Sequence, residues 1–192
     1  MRLFVAIDLN DEARSAIAAE QKRLAEALAP SASLTWVRPE QVHLTLAFLG
    51  EIDQARATAV IDAMNADIVD VDPFRIVFAG LGVFPPHGAP RVLWAGIATG
   101  ALDVIDVRRH VAGRLSRVGI ALDARPFHPH LTLARWRDTR PTDRRSVAAA
   151  DGGAAVALVQ VTAVTLYQSR VSSSGSIHTA IARAPLRRGA GL

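Results

Sequence analysis

Apolar positions along this chain follow two rhythms, the alternation of a strand face and the wider spacing of a helix face. LFVAIDL at 3–9 predicts a short buried strand. NDEARSAIAAEQKRLAEALA then sets Ile17, Leu24 and Leu28 at helical spacing, with Asn10 as the N-cap and Pro30 beyond the end. LTWV (34–37) predicts a strand, Arg38-Pro39-Glu40 a turn, and HLTLAFL (43–49) a second strand ended by Gly50. Residues 53–69 read as a helix. FRIVFAGLGVF (74–84) reads as a long strand that its glycines allow to bend, PPHGAP as a turn, and RVLWAGI (91–97) as the returning strand. A helix over roughly 101–118 carries Leu102, Ile105, Val111 and Leu115 on its apolar side. PHLTLARW (129–136) is the next strand, RDTRPTDRR a charged loop, and VALVQVTAVTLYQ (156–168) a β-rich run. A turn at 172–175 closes a hairpin onto SIHTAIARA (176–184), and PLRRGAGL predicts a frayed tail.

The order strand–helix–strand–strand therefore occurs twice, with no linker between. It predicts an α+β fold, a single bilobal domain over 1–192. Its two pseudo-symmetric lobes each have an antiparallel sheet and outer helices around a central cleft. Each lobe contributes one HLTL strand, at 43–46 and 130–133.

That repeat is where chemistry enters. HLTLA occurs at 43–47 and again 87 positions later at 130–134. Successive side chains on a strand point to opposite faces, so His43 and Thr45 project together while Leu44 and Leu46 pack the other way. His130 and Thr132 pair off in the same manner against Leu131 and Leu133. A lone strand histidine is ordinarily structural, and threonine is a common β-former. Two copies of one five-residue string, in a chain with six histidines, exceed what chance or core repetition accounts for. Of two imidazoles on opposite walls of a cleft, one can accept a proton while the other donates one. Two threonine hydroxyls between them can hydrogen-bond anionic oxygens. The set suits in-line displacement at phosphorus and calls for no metal.

Composition narrows the setting. The 192 residues are 50% hydrophobic, which is globular, and contain no cysteine, which removes disulfides and thiolate metal sites. The apolar run of MRLFVAIDLN is broken by Asp8 and lacks a cleavage site, and no stretch approaches the roughly 18 apolar residues of a membrane span. A cytoplasmic protein with no membrane association is expected. The net charge is +4, with Lys22 the only lysine. Arginine suits phosphate, yet a GC-rich genome gives the same bias, so the charge permits nucleic acid without demonstrating it.

The two HLTL segments, with the flanks RLFVAIDL, WVRPEQVHLTLAFLGE, the FPP turn before RVLWAGI, and PFHPHLTLARW, resemble the paired signatures of the 2H phosphoesterase superfamily. They are most similar to its bacterial and archaeal branch of RNA 2′,3′-cyclic phosphodiesterases, historically named 2′-5′ RNA ligases (LigT-like). The resemblance weakens after about residue 136. It implies hydrolysis of an RNA 2′,3′-cyclic phosphate end to a 2′-phosphate, with 2′-5′ ligation as the same chemistry reversed and no cofactor. His43 would be the proton donor and His130 the proton acceptor; nothing in the sequence itself breaks that symmetry. Thr45 and Thr132 would bind the phosphate, joined by Arg135, and Phe48 would stack on the terminal base. Phe48 and Arg135 each stand five residues after a histidine, where strict alternation sends them to the wrong face unless a bulge intervenes. The family pattern leads one to expect tyrosine where His178 stands.

Other readings remain open on the sequence alone. His128, His130 and His43 imitate a metal set, though without a matching carboxylate and with the threonines unexplained. His87 and His110 read as solvent-exposed, and Arg38, Arg91 and Arg125 as either an RNA rim or plain surface charge. The partner is expected to be RNA ending in a 2′,3′-cyclic phosphate, bound by a monomer. The alternatives are an RNA-end or nucleotide binder without turnover, or an enzyme for another cyclic phosphodiester.

Overall fold

The computed structural model describes residues 1–28, 33–123, 125–172 and 175–188. In chain order the described elements are β1 (Arg2–Asp8), α1 (Asp11–Leu28), β2 (Ser33–Trp36), a 3₁₀ turn (Pro39–Gln41), β3 (His43–Glu51), α2 (Gln54–Asn65) and β4 (Ile68–Val69). There follow β5 (Phe74–Phe84), β6 (Val92–Thr99), α3 (Ala101–Arg117), β7 (Leu131–Asp138), α4 (Asp143–Ala150), β8 (Ala155–Val161), β9 (Ala163–Ser172) and β10 (Gly175–Arg187). The strands form two five-stranded sheets, ordered β3-β1-β9-β10-β4 and β2-β7-β6-β5-β8. The pairing of β4 with β10 is parallel and the others are antiparallel. The fold is α+β and bilobal, with one HLTL segment at each sheet.

The chain crosses between the sheets repeatedly. β1 and β3 lie in the first sheet while β2, between them in sequence, joins the second, and the closing hairpin β9–β10 returns to the first. The helices cross too. α1 follows β1 yet packs on β8, whereas α3 follows β6 yet packs on β3. α2 covers β9 and β10, and α4 covers β5.

The helix faces are set by burial. α1 turns Ala13, Ile17, Leu24 and Leu28 inward together with Gln21, and Asn10 caps it by accepting the Ala13 N–H at 3.0 Å. In α3 the buried stripe is Val104, Val107, Val111 and Leu115. Leu102 and Ile105, expected inside, are 81% and 45% exposed. They lie off the continuous i, i+3, i+7 row that the valines complete.

Three further expectations are corrected. The predicted helix over 53–69 stops at Asn65, and Ile68–Val69 instead extends the first sheet beside β10. The charged stretch after β7 contains α4. Its buried residues are Val147 and Asp143, too few to leave an apolar rhythm, and Asp143 accepts the Arg140 N–H at 2.8 Å. The tail is not frayed through Arg187, because Leu186 is buried and paired with Ile68. Pro30, the apex 173–174 of the predicted turn and the last residues 189–192 lie outside the described residues.

Candidate active site

Alternation along the HLTL strands behaves as their sequence requires. Leu44, Leu46, Leu131 and Leu133 are buried in the core, while His43, Thr45, His130 and Thr132 are half-buried on the opposite face. Across the ladders, Asp8 stands opposite His43 and Ala6 opposite Thr45, and Trp94 stands opposite Thr132. β3 and β7 adjoin one another although they belong to different sheets.

Each strand then carries a bulge at the same place in the repeat. On β3, Val5 pairs with Ala47 and Ala6 with Thr45, leaving Leu46 as the extra residue. On β7, Leu93 pairs with Ala134 and Trp94 with Thr132, leaving Leu133 extra. An extra residue resets alternation. Leu46 and Ala47 are therefore both buried, as are Leu133 and Ala134, and the next residues, Phe48 and Arg135, turn out to the exposed face. Phe48 is 72% exposed, with its ring 6.2 Å from that of Phe4. The bulge brings both residues to the histidine side.

The two imidazoles are held alike. His43 Nδ1 lies 2.7 Å from the Gln41 carbonyl oxygen, and His130 Nδ1 lies 2.7 Å from that of His128. A carbonyl only accepts, so Nδ1 carries the hydrogen in both rings and Nε2 is the nitrogen left for chemistry. Each ring also has an aromatic support. Phe4 stacks on His43 at 4.8 Å and Tyr167 stacks on Phe4 at 5.2 Å. Phe84 meets His130 edge-on at 4.9 Å, with Trp94 6.0 Å from the same ring. Gly82 makes room for that indole, since a Cβ there would overlap Trp94.

A family model described as LigT like Phosphoesterase matches residues 7–94 and 100–178, which include both HLTL segments. The chain belongs to this family of phosphoesterases. An RNA 2′,3′-cyclic phosphodiesterase of Aquifex aeolicus is 33% identical over 147 residues, 76% of this chain and 78% of that protein. One from Geobacillus stearothermophilus is 33% identical over 184 residues, 95% of this chain but 56% of the relative, so the chain spans little more than half of that protein's length. Among solved structures, a protein of Thermus thermophilus has a TM-score of 0.74 at 28% identity, with 100% of both chains covered. E. coli LigT complexed with 3′-AMP has a TM-score of 0.73 at 28% identity, covering 96% of this chain and 97% of that one.

Electrostatics in this LigT-like phosphoesterase separate the two histidines. Burial is the largest influence on both and favours the neutral ring, taking His43 down to about 4 and lowering His130 as well. The Gln41 and His128 carbonyls oppose that shift. The charged neighbours differ. Around His43, the Asp8 carboxylate favours the imidazolium while His178 and Arg14 disfavour it. Around His130, Arg135 and His128 both disfavour it. Asp8 is itself fixed by the Thr165 hydroxyl at 2.6 Å and the Tyr167 hydroxyl at 2.5 Å.

Several of these residues escape a reading by motif. Phe4, Asp8 and Trp94 lie on the strands β1 and β6 that flank the motif strands, and Tyr167 and Phe84 one strand further out on β9 and β5, so none is marked by the motif itself. His178 does join the site: its ring is 4.9 Å from Phe4 and 5.4 Å from His43. An open groove of about 460 Å³, lined by Asp8, Thr165, Tyr167, Ala180, Ala182 and Arg183, begins beside this cluster. His128 is exposed, with its ring 6.4 Å from that of Phe84, and His87 is exposed as well. His110, expected in solvent, is half-buried, with Nδ1 3.0 Å from the Asp106 carbonyl oxygen. Arg125 is ion-paired with Asp123 at 2.5 Å. Among the described residues, no three His, Cys, Asp or Glu side chains are grouped to hold a metal ion, and no helix is long and apolar enough to cross a membrane.

Proposed function

We propose that this protein hydrolyses the 2′,3′-cyclic phosphodiester at an RNA end, leaving a 2′-phosphate and a free 3′-hydroxyl. His130 takes a proton from water as its oxygen attacks phosphorus. His43 delivers a proton from Nε2 to the departing 3′-oxygen. Thr45 and Thr132 hydrogen-bond the non-bridging oxygens, Arg135 supplies positive charge to the phosphate, and Phe48 stacks on the terminal base.

The observation that carries this reading is the matched tethering of the two rings. Both Nδ1–H groups are committed to backbone carbonyls at 2.7 Å, so each ring offers Nε2 to a phosphate between them. The donor role of His43 is the one the family resemblance implies, and Asp8 is the neighbour that works toward it, against the larger effects of burial and His178. Asp8 favours a protonated His43, whereas Arg135 favours a neutral His130. Burial keeps His43 neutral until an anionic phosphodiester arrives to restore its proton. The names of the Aquifex and Geobacillus relatives agree with this substrate. Run in reverse, with a ribose hydroxyl in the place of water, the same groups would join 2′-5′ ends. A cytoplasmic setting suits such an RNA substrate.

Replacing His43 or His130 by Ala tests the assignment. Turnover should fall by about 10²–10⁴-fold while RNA ending in a 2′-phosphate still binds. A wild-type protein that binds such ends and turns nothing over would identify a binding module instead.

A further inference from the structure

The 87-residue offset between the HLTL segments also relates Gln21 on α1 to Arg108 on α3. Gln21 is 6% exposed, and its Nε2 donates to two carbonyls, Val37 at 2.8 Å and Leu133 at 2.9 Å. Val37 opens the segment that runs through the 3₁₀ turn to His43. Leu133 is the extra residue of the β7 bulge. Arg108 makes the mirrored arrangement. Its Nε donates to the Leu46 carbonyl, the extra residue of the β3 bulge, at 3.1 Å. Its guanidinium carbon lies 4.7 Å above the ring centroid of Phe127, three residues ahead of His130.

We propose that Gln21 and Arg108 are a matched pair of positioning residues that fix the spacing of the two catalytic imidazoles. Each grips the bulge of one HLTL strand and the approach to the other histidine, so the two together brace β3 against β7. An extra residue disturbs the ladder locally; a carbonyl has two lone pairs, and that of Leu133, which accepts the Val37 N–H at 2.9 Å, still has room for a side-chain donor. Gln21 and Arg108 supply that donor from helices that cross to the opposite sheet. A simple need to satisfy buried polar groups does not account for two chemically different side chains, at repeat-related positions, serving the two equivalent bulge carbonyls of Leu133 and Leu46. Neither residue meets the phosphate; both act through the strands that do. Misplacing a reacting group by about 1 Å costs on the order of 10²-fold in rate.

This inference rests on the acid–base reading of His43 and His130, and one assay separates the two. Gln21→Leu removes the donor at nearly constant volume. Arg108→Met removes it from a half-buried site, and Arg108→Gln restores an amide donor of the kind used at the related position. On RNA ending in a 2′,3′-cyclic phosphate, kcat should fall about tenfold or more in Gln21→Leu and Arg108→Met with KM within about twofold. Arg108→Gln should recover most of that loss. If Gln21→Leu does not fold, the two Arg108 variants decide. Folded donor-less variants with wild-type kcat, a loss carried by KM alone, or no recovery in Arg108→Gln would each overturn the inference while leaving the function intact. An inactive wild type would overturn both.

Discussion

The imidazole of His178 meets that of His43 edge-on, with ring centroids 5.4 Å apart. Two titratable rings at that distance disfavour one another's charge, and His178 is one of the influences lowering His43. Burial also lowers His178 itself. His178→Gln should therefore shift the titration midpoint of the His43 ring upward, followed by NMR of the imidazole carbon-bound protons. An unchanged or lower midpoint would show that the two rings are not electrostatically coupled.

Acid should weaken the free protein through His43. Its folded pKa, pushed down chiefly by burial to about 4, lies below the ordinary 6.5. The unfolded chain therefore binds that proton first as pH falls. The associated stability is whole above about pH 6.5 and is lost progressively toward pH 4. Urea unfolding at pH 7 and pH 5 should show the decline, and His43→Phe should show a smaller one. The same linkage predicts proton uptake when RNA ending in a 2′-phosphate binds near pH 6. Calorimetry in buffers of different ionisation enthalpy reads it directly, and equal heats in all buffers would contradict it.

Phe48 and Arg135 test the consequence of the bulges. Phe48 is 72% exposed, so Phe48→Ala should change stability by no more than about 0.5 kcal/mol. Loss of one base stack, worth about 1–3 kcal/mol, should raise KM roughly tenfold or more with kcat little changed. Arg135→Ala should lower turnover without unfolding the protein and should raise the His130 midpoint, because Arg135 is among the influences lowering it. Wild-type kinetics in both variants would place the substrate elsewhere.

Much of this arrangement is legible in the amino-acid order, and the failures have specific causes. The HLTL alternation predicts which face of each strand is buried, because hydrophobic burial acts residue by residue along a period-two element. The bulges are not deducible from that alternation. The fifth shared residue, Ala47 and Ala134, is their local trace, a second core residue directly after a core leucine. The crossing of α1 and α3 to the opposite sheets leaves no local pattern at all, since either sheet would bury the same stripe. α4 is hidden by its charges, and β4 by its shortness. Gln21 looks like an ordinary polar residue inside an apolar stripe until its two carbonyl partners are seen.

The most direct test of the central claim is an assay of RNA ending in a 2′,3′-cyclic phosphate, treated with EDTA, that resolves 2′- from 3′-phosphate products. Imidazole acid–base catalysis predicts hydrolysis to the 2′-phosphate that persists under chelation and is lost in both His43→Ala and His130→Ala. Absence of hydrolysis, formation of the 3′-phosphate, or activity abolished by the chelator would contradict it.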